Sequence, residues 1–336
     1  MNAAGEDQLL DLRPGAGGAA VADPAHHQVG VLIERALIDQ HPGGPQAGDH
    51  PLARDRPAAE DRRAEAEPLV WDPGVHAVVT HASTATCKRH LAGLGRAYAN
   101  GAPLRPYIAE GSGNDPLIVL RGADLGAAAR AAALGGFANA GQLCMAAKRM
   151  IVERSVWDDF RPRLVEAVGA LRLGDPDDEA TDVGPLPEGP GRARAREALA
   201  EARERGGEVV VGEGERGDLF TPTIVRLPRE ALDVSLWREE SFAPLRGLVV
   251  ADDPDDAVRL ANDTPFALGA AVFGPADAVV PRLRAARVLV DEGPLYQDPH
   301  FVVGGVDDSG LAGARPKIEQ LVWARRVHRA EGASGP

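Results

Sequence analysis

Cys144, Glu110 and Glu240 are the side chains whose types and settings could do chemistry. Cys144 closes the stretch Phe137-Ala-Asn-Ala-Gly-Gln-Leu-Cys144, directly after a Gly-containing loop. Glu110 lies upstream in Glu110-Gly-Ser-Gly-Asn-Asp-Pro116, and Glu240 lies downstream in Glu239-Glu240-Ser-Phe-Ala-Pro244. A cysteine attacks a carbonyl readily, because a few per cent is already thiolate near neutral pH, and a helix N-terminus at Cys144 would lower its pKa further. A carboxylate at Glu110 would activate water as a general base, best with its own pKa raised by burial. Each residue also has a plainer reading. A lone cysteine is often a small buried filler. Glu110 alone reads as a surface charge, and Arg238-Glu239-Glu240 as a solvated face. Ser83, in Ala82-Ser-Thr-Ala85, reads equally as a ligand contact or a helix cap. Cys87, beside Lys88, reads as structural. His26, His27, His41 and His50 lack compact metal-ligand spacing, so no metal site is expected.

The elements that must position these residues alternate from about Val75 onward. Val75–Thr80 reads as a strand, Ala85–Ala99 as a helix and Leu117–Leu120 as a buried strand. Asp124 is placed to cap an Ala-rich helix. Lys148–Glu153 reads as a strand. Ser155 and Asp158 then open a helix with Trp157, Phe160, Leu164 and Val168 on one face. The Arg192–Arg205 run is expected to be an exposed helix. Val209–Val211 and Leu248–Val250 read as strands, and Asp253-Pro254 starts a helix. The strand Ala270–Phe273, a helix over Ala276–Ala286 and the strand Val288–Asp291 complete the pattern. Strands alternating with helices imply an α/β fold with a mostly parallel sheet covered on both faces.

Residues 1–74 differ. Prolines 14, 24, 42, 45, 51, 57 and 68 break ladders and helices alike, and only Val29–Asp39 carries a regular apolar run. This region is expected to be poorly ordered. Across 336 residues, apolar side chains make up 44% and aromatics 4%, which favours helices packed through small side chains. The net charge of -13 disfavours nucleic acid and anionic membranes as partners. No apolar run reaches spanning length and no basic-then-apolar leader follows Met1, so a cytoplasmic location is expected. Two cysteines are too few for a disulfide framework or a structural zinc site.

Taken in order, the three stretches resemble the diagnostic motifs of the aldehyde dehydrogenase superfamily. These are the glutamate–glycine motif, the Gly-Gln-x-Cys loop and the Glu-Glu-x-Phe-x-Pro motif. Leu173-Gly-Asp-Pro176, Thr181-Asp-Val-Gly-Pro185, Glu292-Gly-Pro294, Asp298-Pro-His300 and Gly304-Gly-Val-Asp-Asp-Ser-Gly310 match as well. The resemblance runs from about Val75 to Ala330. It implies a catalytic domain with a parallel sheet at 111–310, a remnant of a Rossmann-like cofactor-binding domain at 75–110, and a tail at 311–336. It implies oxidation of a small-molecule aldehyde to an acid with NAD or NADP. Cys144 would form a thiohemiacetal and then a thioester, and Glu110 would activate the hydrolytic water. Glu240 would hold a ribose, Phe242 would pack beside the nicotinamide, and Ser83 would lie near the pyrophosphate. Family members are commonly dimers or tetramers that share a C-terminal strand, a part open to Leu321–His328.

The departures from the family pattern concentrate on cofactor binding. Ala82-Ser83 stands where a Gly-Ser pair is usual, and Cys87 where a further glycine is usual. A Cβ at either place narrows the approach of phosphate to a helix N-terminus. The family's upstream asparagine and lysine have no counterpart within 1–70. Loss of one oxyanion donor typically costs ~10²–10³ in turnover. Val302-Val303, Asp307 and Asp291 replace the family's usual Pro-Phe, lysine and asparagine. Two alternatives therefore stand beside the dehydrogenase: a truncated or decayed relative without oxidation, and a cofactor-independent cysteine esterase.

Overall fold

The computed structural model describes residues 67–216, 219–296, 304–313 and 320–321 in full, and 31–35 through their backbone. Most of 1–74, together with Asp298-Pro-His300, Val302-Val303 and nearly all of Leu321–His328, lies outside the described residues. The expectations placed on those segments, and on the four histidines, fall there too. Two parts of 1–74 are described. Residues 67–71 are helical (α1), and Val31–Arg35 is a strand (β1) within the apolar run singled out above.

A small parallel sheet comes first, in the order β1, β2 (Ala77–His81), β3 (Tyr107–Glu110). Its register runs Val31 opposite Ala77 and Val78 opposite Tyr107. Helix α2 (Thr84–Ala99) joins β2 to β3, and the Ser83 side chain caps it by accepting the Thr86 N–H. Val70, Val78 and Leu94 form the core beneath.

The second sheet has seven strands, in the order β13, β12, β4, β5, β10, β9, β6. These are β4 (Asp115–Val119), β5 (Ala147–Glu153), β6 (Glu208–Val211), β9 (Thr223–Arg226), β10 (Leu245–Ala251), β12 (Gly269–Phe273) and β13 (Arg287–Val290). Every neighbouring pair is parallel except β6 with β9. Short pairs β7 (Glu215–Arg216) with β8 (Leu219–Phe220), and β11 (Phe266–Ala267) with β14 (Val306–Asp307), lie outside it.

Side-chain alternation divides the core. On one face Leu117, Val119, Met150, Val152 and Leu248 meet α3 (Leu125–Phe137) and α4 (Arg154–Gly169). On the other, Ile118, Ile151 and Val249 meet α5 (Pro190–Glu204), α6 (Ser235–Arg238) and α7 (Pro254–Asn262). Fully burying side chains such as Phe137, Phe160 and Phe273 contributes roughly 1.5–3 kcal/mol each relative to exposure. Covered on both faces, the strands read as near-continuous apolar runs.

Most expected elements are present within a few residues. Asp124 caps α3 by accepting the N–H groups of Gly126 and Ala127, and Asp253 caps α7 with Pro254 in its first turn. Three expectations are corrected. The segment 276–286 is not a helix: only Val280–Arg282 makes a 3-10 turn, because Pro281 removes a donor and Asn262 bonds the backbone of both Arg282 and Arg284. Helix α4 opens at Arg154 without a side-chain cap, and Ser155 instead donates to Glu153 Oε1 at 2.6 Å. Within α5, Arg192 is not exposed; it is buried on Glu215 and Leu186 O, beside Ala195 and Leu199.

Candidate active site

Chain topology draws the three motifs together. Strands β4, β5 and β10 are neighbours and parallel, so the segments leading into them share one end of the large sheet. Residues 111–114 lead from β3 into β4, the Cys144 loop leads into β5, and 239–244 lead into β10. Glu110 is the last residue of β3 in the small sheet, with only four residues between it and the start of β4. A connection that short leaves it nowhere else to sit.

Glu110 is buried, at 7% exposure. Its carbonyl accepts the Ala82 N–H at 3.0 Å, and the next residue, Gly111, donates to Ser309 O at 2.8 Å. The 304–310 segment thus holds the carboxylate's backbone from behind. Gly113 must be glycine: a Cβ there would lie 2.3 Å from the Cys144 carbonyl oxygen. The loop after Glu110 therefore packs directly on the cysteine's own backbone.

Cys144 is half-buried. It follows α3, a tight turn over Ala138–Gly141 with Asn139 and Ala140 in the left-handed region, and Gly141 at φ +75°. The expectation of a helix N-terminus at the thiol is corrected. Cys144 lies in a turn, with Ala146 N–H bonded to Leu143 O at 3.2 Å, that feeds strand β5. No helix dipole lowers its pKa. Burial, followed by the charges of Asp115 and Glu240, pushes the thiol up to about 11; Lys148 opposes this and Glu110 adds to it.

Glu240 accepts the Gly113 N–H at 2.9 Å and also bonds the Ser112 side chain. Burial raises its pKa, opposed by Lys148 and these hydrogen bonds. With Glu239, Ser241, Phe242 and the Glu197–Glu201 face of α5, it lines a cavity of about 410 Å³. Cys144 and Glu110 do not line that cavity. Ser83 acts as the cap of α2; beside it, Thr84 N–H points to Ser112 Oγ at 3.4 Å and Lys88 pairs with Asp308 at 2.7 Å. Cys87 is buried, its thiol directed to the carbonyls of Ala82 and Glu110.

Sequence reasoning missed a layer of buried charge. Lys148 Nζ bonds Gly141 O at 3.2 Å and Leu143 O at 2.6 Å, and lies 4.6 Å from the centre of the Phe242 ring. Arg246 bonds Gly136 O, Gly141 O and Ala243 O at 2.8–3.0 Å. Arg149 bonds the carbonyls of Asn114, Leu260 and Ala261. Burial pushes Lys148 down to about 7, Arg149 to about 10 and Arg246 to about 9. Asp115, wholly buried, is pushed up to about 7, against the pull of Gly269 N–H, Arg287 and Lys148. The available signal was Lys148-Arg149 at the start of a strand whose other residues are nearly all apolar.

Two departures from the family pattern keep local geometry intact. Asp291 occupies the left-handed region at φ 52°, where Asp and Asn are tolerated, and bonds Gly274 N–H at 2.9 Å. Asp307, at φ 53°, pairs with Arg284 at 2.6 Å.

Comparison with known proteins gives a consistent result. A model of the aldehyde dehydrogenase family matches residues 59–322. The chain is 35% identical over 222 residues to a vanillin dehydrogenase of Corynebacterium glutamicum, covering 65% of this chain and 46% of that protein. It is 35% identical over 219 residues to a succinate semialdehyde dehydrogenase of Escherichia coli K12 whose name specifies NAD(P)+, covering 63% and 46%. Among solved structures, an indole-3-acetaldehyde dehydrogenase in complex with NAD+ superposes with a TM-score of 0.68 at 31% identity, over 73% of this chain and 50% of that one. A lactaldehyde dehydrogenase from Escherichia coli gives 0.69 at 25% identity, over 76% and 54%. The chain spans about half the length of the proteins it matches.

Proposed function

The chain belongs to the aldehyde dehydrogenase family, and from that premise we propose that it carries the reacting groups for oxidation of an aldehyde to a carboxylic acid. Residues 75–110 are assigned as the remnant of the dinucleotide-binding domain and 111–310 as the catalytic domain, with the division at the turn from β3 into β4. The observation that carries the reading is the packing of the Gly113 loop on the Cys144 carbonyl, with Glu240 bonded to the same loop.

In this reading the Cys144 thiol loses its proton to solvent as Sγ attacks the aldehyde carbonyl, giving a thiohemiacetal. Its oxyanion is met by the backbone N–H of Cys144. Glu110, buried at the end of β3, then takes a proton from water as that water attacks the thioester, freeing the acid and the thiol. Burial, followed by the charges of Asp115 and Glu240, raises the thiol pKa, so Cys144 rests protonated at neutral pH.

The family motif assigns Glu240 and Phe242 to the nicotinamide end of NAD or NADP, although neither Cys144 nor Glu110 lines the cavity on which those two residues lie. Glu240 offers a fixed carboxylate and Phe242 an aromatic face, both lining the 410 Å³ cavity. When bound, the cofactor supplies the hydride acceptor that separates the thiohemiacetal from the thioester. Ser83 and the α2 N-terminus are the candidates for the pyrophosphate.

The test is a panel of aromatic, hydroxy- and carboxyl-bearing aldehydes with NAD+ and with NADP+, followed at the reduced-nicotinamide absorbance. Activity in the full chain, absent in Cys144→Ala, supports the proposal; no activity with any pair contradicts it. A second reading is favoured by one observation. The first amide of α2 and the Thr84 hydroxyl already engage Ser112 and Asp308 O, which leaves less room for phosphate. Under that reading Cys144 and Glu110 hydrolyse activated esters without any nucleotide, and p-nitrophenol release in its absence is the measurement.

A further inference from the structure

Ser112 stands between two glycines, in Gly111-Ser112-Gly113, and is buried at 8% exposure. It clasps the first residue of α2 across 28 residues of chain. The Thr84 N–H donates to Ser112 Oγ at 3.4 Å, and the Ser112 N–H donates in return to Thr84 Oγ1 at 3.3 Å. The Thr84 hydroxyl donates to Asp308 O, so the 304–310 segment holds the pair from behind. On its other side the Ser112 hydroxyl donates to the Glu240 carboxylate, which the Gly113 N–H also holds at 2.9 Å. A helix leaves its first amides without partners inside the helix, and they carry the positive end of its dipole. Ser83 satisfies the amide of Thr86, and Ser112 satisfies that of Thr84. One hydroxyl therefore accepts from a helix N-terminal amide, as a phosphate oxygen does. The same hydroxyl donates to a carboxylate, as a ribose hydroxyl does.

We propose that the Ser112 hydroxyl is a built-in competitor of the dinucleotide and sets the affinity with which this chain binds it. The inference rests on the reading of Glu240 and the α2 N-terminus as cofactor contacts, and it names the residue that weakens both. An incoming nucleotide must break the two bonds of the hydroxyl before its own phosphate and ribose oxygens take those partners. What binding gains there is the difference between two sets of hydrogen bonds, not the whole of one. Ser112 thereby joins the two ends of the candidate site through a single oxygen atom. The Gly113 bond to Glu240 is made by backbone, so the carboxylate keeps its place when the hydroxyl is removed. The clasp from Ser112 N–H to Thr84 Oγ1 is likewise independent of the side chain at 112. Loss of the hydroxyl therefore frees the partners without dismantling the loop.

The test is calorimetric titration of the full chain with NAD+ and with NADP+, comparing wild type, Ser112→Ala and Ser112→Thr. Alanine keeps the Cβ and removes only the hydroxyl, and threonine restores it. Ser112→Ala is expected to bind at least one of the two nucleotides about 10-fold more tightly than wild type, the scale of one hydrogen bond to a charged group. Ser112→Thr is expected to bind as weakly as wild type. Binding detected in Ser112→Ala alone supports the proposal equally. Overturning results are an affinity in Ser112→Ala equal to or below that of wild type, absence of binding in both, or a Ser112→Thr affinity as high as that of Ser112→Ala. Should Ser112→Ala fail to fold, Ser112→Gly, which extends the run of glycines, takes its place with the same expected gain. Aldehyde oxidation plays no part in this readout. Tighter binding in Ser112→Ala without oxidation leaves the inference standing and the dehydrogenase reading fallen; equal binding by all three chains with oxidation intact does the reverse.

Discussion

Gly113 N–H donates to Glu240 Oε1 at 2.9 Å, across 127 residues of chain. That bond ties the carboxylate at the cavity to the loop that begins with Glu110 and packs on Cys144. The three motifs are therefore mechanically one unit, and a disturbance at one should be read at the others.

Glu240→Gln keeps the shape but loses charge, and Glu240→Ala also strands the Gly113 N–H. Leaving a buried donor unsatisfied costs about 1–3 kcal/mol. Nicotinamide nucleotide binding, followed by quenching of intrinsic tryptophan fluorescence, is expected to weaken modestly in Glu240→Gln and by roughly 10-fold in Glu240→Ala. Equal affinities for all three proteins would remove Glu240 from the cofactor site.

Gly113→Ala places a methyl 2.3 Å from Cys144 O, where backbone must move. Overpacking of this kind typically costs about 1–3 kcal/mol. A lower urea midpoint is expected together with altered iodoacetamide reactivity at Cys144. Gly95→Ala has nothing within 4 Å and is the control, with stability held or raised. Should Gly113→Ala match that control, the close approach of the two loops is wrong.

The architecture was legible in the chain because parallel strands buried on both faces leave continuous apolar runs, as at Leu117–Leu120 and Leu248–Val250. The caps at Asp124 and Asp253 were legible for a local reason, since each bonds backbone two or three residues on. What periodicity hid is long-range. Arg192 looked solvated because its partner Glu215 comes from a distant hairpin. The roles of Lys148 and Arg246 were hidden, because the carbonyls that satisfy them belong to loops whose path only the fold determines. The absence of a helix at Cys144 follows from the left-handed pair Asn139-Ala140, a conformation that side-chain type does not announce.

Asp115 gives a pH test. Its folded-state pKa, raised to about 7 by burial, lies above the ordinary carboxylate value of 3.8, so the folded protein holds a proton that the unfolded chain releases. Its contribution to stability is fully present below about pH 4 and is lost as pH rises through 7. Asp115→Asn cannot ionise. Urea unfolding is expected to show the variant gaining on wild type as pH rises from the acid to the neutral range. Parallel curves for the two proteins would contradict the buried, protonated carboxyl.

The claim on which everything turns is that Cys144 forms the bond to substrate and Glu110 releases it. Glu110→Gln should therefore acylate and then stall. The decisive measurement is the mass of the Cys144-containing peptide after Glu110→Gln is mixed with NAD+ or NADP+ and an aldehyde that the wild type oxidises, then quenched. One acyl group per chain is expected on Cys144, with Cys87 unmodified and slow turnover. Continued oxidation with no acyl mass on Cys144, or with the acyl group on Cys87, would contradict it.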